Sequence, residues 1–218
     1  MTWSDIQPLL RQATLDTLKM VGVSALIATL IGIPLGVLLI LTDRGGLWQC
    51  RPVYQVLGLV VNIGRSLPFI ILIVVLIPFT RAVVGSVLGW QAAALPLAIS
   101  AIPFLGRLVE TSVREVDRGL VEAAQSMGAR TWSIVARVFI PEALPSIISG
   151  ITLTVISLIG YSAIAGAVGA GGLGDVAIQY GYQRYQTNVL IATMVILIVM
   201  VAMIQAVGSL AAKLVNHR

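Results

Sequence analysis

Met20-Val-Gly-Val-Ser-Ala-Leu-Ile-Ala-Thr-Leu-Ile-Gly-Ile-Pro-Leu-Gly-Val-Leu-Leu-Ile-Leu-Thr42 is a stretch without a single charge. An α-helix needs about 20 residues to cross the ~30 Å hydrocarbon core of a bilayer. A charge at mid-bilayer costs at least ~2.5–3.5 kcal/mol, so uncharged runs of this length mark spans. Four more follow: Pro52–Thr80 with Arg65 as its only charge, Ala82–Gly106, Ala143–Gly174 and Tyr185–Ala212. The pattern predicts an all-α polytopic membrane protein, one transmembrane domain over residues 1–218. Its five transmembrane helices are expected at about 20–42, 57–80, 82–106, 143–166 and 187–212. The fourth run outlasts one crossing. Its tail, Gly166-Ala-Val-Gly-Ala-Gly-Gly-Leu-Gly174, is too rich in glycine for a helix interior, so that span is expected to end near Gly166.

Composition agrees. Hydrophobic residues make up 58% and charged residues 11%, against about 25% charged in soluble domains. Mean hydropathy is +0.98. The single Cys50 excludes an internal disulfide framework and a cysteine-based zinc site, and the single His217 leaves no histidine cluster for metal or acid–base work. The formal charge of +5 fits basic cytoplasmic loops better than nucleic acid. The first 19 residues, with Asp5 and Asp16, do not read as a cleavable signal. In residues 4–18, Ile6, Leu9, Leu10 and Ala13 recur at helical spacing against polar neighbours. Two readings stay open there: a short amphipathic helix on the outer membrane surface, capped by Ser4, or a frayed terminus leading into the first span.

Lysine and arginine set the orientation. One side holds Arg44, Arg51, Arg107, Arg114, Arg118, Arg130, Arg137, Lys213 and Arg218; the other holds only Arg11, Lys19, Arg81 and Arg184. The first group belongs in the cytoplasm, so the N-terminus is expected outside and the C-terminus inside.

The spans contain no Asp or Glu. Proton relays and many ion-coupled carriers depend on buried carboxylates, and an odd number of spans does not suit inverted repeats. No catalytic set is present, and neither Lys19 nor Lys213 sits in a phosphate-cradling Gly-Lys-Ser/Thr loop. Any ATP-driven step therefore belongs to another subunit. Gly169-Ala-Gly171-Gly-Leu-Gly174 matches the dinucleotide pattern G-x-G-x-x-G, but it follows a span and has no acidic residue about 20 positions on. It reads as an outer turn.

The segment 107–142 holds 10 of the 23 charges and is too long for a structureless loop. It is expected to be a cytoplasmic loop with two helices. The first runs from about Gly119 to Met127, ends at Gly128, and carries Glu122 in its first turn. The second starts at Thr131 as N-cap and stops before Pro141. Leu120, Ala123, Ala124 and Met127 fall at i, i+3, i+4 and i+7, an apolar stripe on a helix too short to stand alone. Spacing leaves open whether the stripe packs on the chain's own spans or docks into a groove on a cytoplasmic partner.

Glu122-Ala-Ala-x-x-x-Gly128, then nine residues, then Val138-Phe-Ile-Pro141 resembles the EAA loop of bacterial ABC importer permeases. The family pattern is Glu-Ala-Ala, three residues, Gly, nine residues, Ile-x-Leu-Pro; Val138 and Ile140 are mild apolar replacements. A narrower resemblance, to methionine importer permeases, covers most of the chain. It rests on Asn62-Ile-Gly-Arg-Ser-Leu-Pro-Phe-Ile-Ile-Leu72, Ile77-Pro-Phe-Thr-Arg81, Pro141-Glu-Ala-Leu-Pro145, Gly160–Gly174 and Tyr180-Gly-Tyr-Gln-Arg184. Quaternary-amine permeases share the Gly-rich tail, so the substrate rests on the segments of spans 2 and 5.

The resemblance implies a type I importer-like permease of the bacterial inner (plasma) membrane. It implies a homodimer, two copies of an ATPase subunit that carry the ATP and magnesium, and an extracytoplasmic binding protein that delivers D- or L-methionine. This chain would hold no cofactor. Leu120, Glu122, Ala123, Ala124, Met127 and Gly128 would form the coupling helix that enters a cleft on the ATPase. An ion-coupled carrier and a purely structural membrane subunit are the competing classes.

Other residues are singled out more loosely. Ser66, Pro68, Tyr161 and Ser162 are candidates for lining a passage. Arg65 is expected to snorkel at the cytoplasmic end of span 2, the alternative being a contact to substrate or a second permease. Pro34, Pro78, Pro96 and Pro103 are expected to weaken or kink helices. Gly32-x-x-x-Gly36 suits close helix approach, whereas Gly85-x-x-x-Gly89 suits a turn.

Overall fold

The computed structural model describes residues 3–216, all of whose regular elements are helical. The cap expected at Ser4 lies outside the residues whose side chains are described, and His217 and Arg218 lie outside the described range. Ten α-helices follow one another: α1 (Trp3–Thr42), α2 (Arg51–Ser66), α3 (Phe69–Val75), α4 (Ile77–Val84) and α5 (Trp90–Arg114). Then come α6 (Arg118–Ser126), α7 (Thr131–Ile134), α8 (Ile140–Gly166), α9 (Gly172–Val176) and α10 (Thr187–Val215). Two π-helical turns, Val135–Phe139 and Ala177–Tyr182, join α7 to α8 and extend α9.

Four continuous helical segments are long and apolar enough to cross a membrane: Ile6–Thr42, Trp90–Arg114, Thr131–Gly166 and Thr187–Val215. The second expected span is different. Instead of one helix over 57–80, α2 and α3 meet at a bend of 103°. Pro68 has no N–H to donate, and its ring disfavours helical backbone at the residue before it. Leu67 and Pro68 are accordingly extended, with ψ of 125° and 129°. The five-span count holds only with this bent pair taken as one span.

Helix α1 packs most extensively on α5. Gly32 and Gly36 face that contact: a Cβ on Gly36 would stand 2.5 Å from the Gly106 carbonyl oxygen and 2.6 Å from Val109 Cβ. The Ser24 hydroxyl adds a bond to the Ala94 carbonyl oxygen at 2.9 Å. Both readings of the N-terminal segment are corrected. It neither lies apart on the membrane nor frays; it is the first part of α1. Ile6, Leu10 and Ala13 are buried in a cluster with Leu173, Val176 and Val189, and Thr17 Oγ1 accepts from the Leu173 N–H at 2.9 Å. The apolar stripe thus covers the chain's own α9 and α10.

The segment 107–142 is far less loop-like than its charges suggest. Helix α5 continues to Arg114, and the helix expected to stop before Pro141 runs on into α8. The intervening π turn explains how. The Ile140 N–H bonds to the Val135 carbonyl, five residues back, where an α-helix would reach only four. The widened turn gives the following Pro141 ring room beside the helix.

Candidate functional site

At the end of the bundle that carries Asp43 and Arg114, helix α6 forms a short bracket between α5 and α7. Asp117 is its N-cap: the carboxylate accepts from the Gly119 N–H at 2.8 Å. The helix starts at Arg118, one residue earlier than expected, so Glu122 lies in its second turn and Asp117 supplies the favourable negative charge. At the other end Gly128 takes the left-handed conformation, φ +77°, which a side chain rarely tolerates. The Gly128 and Ala129 N–H groups close onto the Gln125 and Ala124 carbonyls.

The stripe splits in two. Ala124 is buried and belongs to the same cluster as Val113, Val116, Ile134 and Phe139, with Val121 packed beside it. That corrects the expectation of Ala124 as a free docking surface. Leu120, Ala123 and Met127 face away from the chain, Met127 with 81% of its surface exposed. Glu122 is also exposed and lines a cleft of about 190 Å³ with Asp43, Arg44, Arg114 and Arg118. Nearby, Trp48 and Trp132 meet edge to face at 5.2 Å, both substantially exposed. One side of α6 is therefore anchored while the other offers an aliphatic surface to something outside this chain.

The anchoring continues into a charge network that sequence reading missed. Glu110, 2% exposed, accepts from Arg107 at 2.5 Å, from Arg114 at 2.7 Å and from the Tyr54 hydroxyl at 3.3 Å. Arg114 also pairs with Asp43 at 2.7 Å, and Arg107 donates to Asn62 Oδ1 at 3.0 Å. These bonds tie the end of α1, the length of α2 and the end of α5 together. The signal was present: Arg107, Glu110 and Arg114 stand at i, i+3 and i+7, one face of a helix. It was hidden by counting all three as loop charges.

The four candidate passage residues do not form one surface. Ser66 donates to the Asn62 carbonyl at 2.8 Å and, with Pro68, sits at the α2–α3 break. Tyr161 of α8 reaches the same place, its ring stacked on Phe69 at 5.0 Å and 12°. Ser162 does not: it is 2% exposed and donates to the Ile159 carbonyl, which corrects its assignment to a passage wall. Arg65 is exposed in the last turn of α2, where its charge suits the helix C-terminus. Among the described residues, no group of three or more His, Cys, Asp or Glu is placed to hold a metal ion.

At the other end of the bundle lies the glycine-rich turn. The Gly89 N–H bonds to the Gly169 carbonyl at 3.0 Å, joining the start of α5 to the end of α8. Gly174 packs against α8 so closely that a Cβ would come 2.4 Å from the Ala163 carbonyl oxygen. The glycines therefore serve backbone approach. Beside them, burial pushes the Asp175 carboxyl up, against a lowering hydrogen bond from Gln179 at 2.6 Å.

Known proteins share this arrangement along nearly its whole length. The chain is 50% identical over 210 residues to the probable D-methionine transport system permease protein MetI of Vibrio cholerae, covering 96% of this chain and 93% of that one. It is 49% identical over 181 residues to the methionine import system permease protein MetP of Bacillus subtilis, covering 83% and 82%. A solved inward-facing structure of the MetNI methionine ABC transporter contains a chain that superposes with a TM-score of 0.97 at 43% identity, each covered completely. An amino acid ABC transporter crystallised with histidines shares the fold, TM-score 0.79 at 22% identity over 96% and 95%. Residues 32–218 match the family described as binding-protein-dependent transport system inner membrane component, and the chain belongs to that family.

Proposed function

We propose that this chain is the permease subunit of an ATP-driven importer of D- and L-methionine, working as a homodimer with two ATPase subunits and an extracytoplasmic binding protein. The observation that carries the coupling is the split face of α6. A nine-residue helix cannot be stable alone, and this one is pinned through Ala124 and Val121 while Leu120, Ala123 and Met127 stay uncovered. Such a knob transmits force from a partner into α5 and α8 without deforming itself. The methionine reading rests on the relatives' substrates and on identity near one half over most of the chain. ATP and magnesium belong to the partner ATPase.

In this reading, closure of the ATPase pair draws the two docked α6 helices together, and the spans swing from inward-open to outward-open to receive the delivered substrate. The charge distribution supports an N-terminus outside and α6 in the cytoplasm. The spans lie within Ile6–Thr42, the bent pair α2–α3, Trp90–Arg114, Thr131–Gly166 and Thr187–Val215; the third starts at Trp90 and not at 82, because Gly85 and Gly89 take left-handed backbone and separate α4 from α5. Ser66, Pro68 and Tyr161 are proposed for the passage.

Ala123→Trp is the test, because Ala123 is exposed and a bulky ring there meets no part of this chain. Ala124→Trp would confuse docking with folding. The variant is expected to reach the membrane in normal amount, lose co-purification with the ATPase, and lose methionine uptake. Wild-type uptake with undiminished ATPase binding would remove α6 as the coupling element. Uptake of a quaternary amine in place of methionine would keep the coupling and replace the substrate.

A further inference from the structure

Residues 52–80 carry a single charge, Arg65, and the fold sets it deep in the bundle. It follows Gly64, where a Cβ would stand 2.9 Å from Pro103 Cγ. Pro103 lies near the middle of the 25-residue α5, at least about 16 Å of helix from either end. Arg65 therefore stands inside the bent pair Arg51–Val75 and not at its end, where snorkelling would suffice. It is exposed, and among the described residues it makes no hydrogen bond or ion pair. Glu110, the only buried carboxylate among those residues, is held by Arg107 and Arg114 instead. Hydrocarbon does not accept an unpaired guanidinium, so a charge at this depth faces water or a partner.

The backbone beside it is equally open. Pro68 has no N–H, and Phe69 and Ile70 lie beyond the 103° bend. The Gly64, Arg65 and Ser66 carbonyls, which would accept from these three residues in a continuous helix, receive no backbone hydrogen bond. Extended Leu67 and Pro68 are exposed as well. Non-helical backbone at membrane depth is tolerated only inside protein or along a water-filled cavity. One exposed turn thus offers a cation and three open carbonyls, next to the aliphatic surface of Leu67 and Ile70 and the stacked ring of Tyr161.

We infer that Arg65 receives the carboxylate of the transported amino acid, and that the open carbonyls of the same turn accept from its ammonium. The inference rests on the methionine reading above and adds a substrate-binding residue to the passage. A zwitterion complements both the guanidinium and the negative end of α2. A primary ammonium brings three N–H donors to the carbonyls and a quaternary amine brings none, so the break favours an α-amino acid over a betaine-like solute. The adjoining aliphatic surface suits a thioether chain.

The experiment uses proteoliposomes holding the complete transporter, supplied with the same binding protein throughout. Arg65→Gln is expected to lower methionine transport efficiency about tenfold, the low end for a hydrogen bond to a charged group. Arg65→Lys, a point charge without the planar fork, is expected to stay within about threefold of wild type. ATP hydrolysis by both variants is expected to match wild type, since Arg65 touches neither α6 nor the Glu110 network. In a Cys50→Ser background, Arg65→Cys is expected to regain uptake after a cationic aminoethyl thiosulfonate reagent and not after an anionic sulfonatoethyl one, both of which react from water. Undiminished uptake by Arg65→Gln, equal recovery with the two reagents, or ATP hydrolysis lost in step with uptake would overturn the assignment of Arg65 alone. A wild-type complex that moves no methionine would overturn the ligand together with the functional reading.

Discussion

Arg114→Ala tests whether the network around Glu110 holds together the end of the bundle beside α6. Arg114 makes two charge-assisted bonds, to Glu110 and to Asp43, each 2.7 Å. Bonds of this kind contribute about 1.5–3 kcal/mol each when buried, and orphaning a buried partner costs about 3–5 kcal/mol. Both figures need reduction here. The Arg114 side chain is 47% exposed, so water screens it, and Glu110 keeps Arg107 and Tyr54. A loss of about 2–3 kcal/mol follows, equivalent to roughly 4–12 °C in thermal midpoint for a domain of this size. Thermal unfolding of the detergent-solubilised transporter measures it. The reasoning makes a second, sharper demand. The costly group is the buried carboxylate, so Glu110→Gln, which removes that charge, should lessen the damage of Arg114→Ala. The double variant is expected to be more stable than the sum of the two singles by about 1–2 kcal/mol. Additive losses, or a midpoint for Arg114→Ala within about 1 °C of the wild type, would mean that the network is a surface ornament and that α2 is held otherwise.

Three further outcomes are expected. Gly36→Ala should destabilise the bundle by about 1–3 kcal/mol, since its Cβ collides with α5, whereas Gly22→Ala, with nothing within 4 Å, should be neutral or stabilising; equal effects in thermal unfolding would discredit the α1–α5 contact. Asp175 binds its proton more tightly folded than unfolded, so its contribution is favourable below the ordinary carboxylate range and is lost as pH rises through the raised folded value. Asp175→Asn should therefore be at least as stable as the wild type at neutral pH, and its midpoint minus that of the wild type should grow as pH rises through the acid range; a difference that shrinks would reverse the sign. Cys50 is the only cysteine and lies between α1 and α2. A membrane-impermeant maleimide should label it in inverted vesicles and not in intact cells, and labelling of intact cells would invert the proposed topology.

The stripe on α6 shows how far periodicity reaches. Leu120, Ala123, Ala124 and Met127 share a helix face by spacing, yet that face is about 100° wide and this chain covers only part of it. Ala124 turns into the cluster around Val113 and Phe139, and the other three stay outside. Only the docking of α6 against α5 and the π turn decides where the division falls. Glu110 was obscured in a related way. Its charge made it look solvated, and nothing local announces that Tyr54, 56 residues away, and Asp43 would close around it and its arginines.

The all-helical class and the succession of apolar runs follow from the chain itself, because both are set by local chemistry. Hydrocarbon excludes charge, and backbone polar groups in lipid must bond within their own helix; proline by itself does not end one, since Pro34 lies inside α1 and Pro96 and Pro103 inside α5. The bend of 103° at Leu67–Pro68 was not read, because the kinks were expected at Pro34, Pro78, Pro96 and Pro103, and Pro34, Pro96 and Pro103 lie inside continuous helices. Tertiary structure alone decided that Ile6, Leu10, Ala13 and Met20 pack with α9 and α10, that Ser162 faces inward, and that a carboxylate is buried among arginines. Each of these depends on which surfaces meet across tens of residues, and a pattern of apolar and polar positions describes a surface without naming what will cover it.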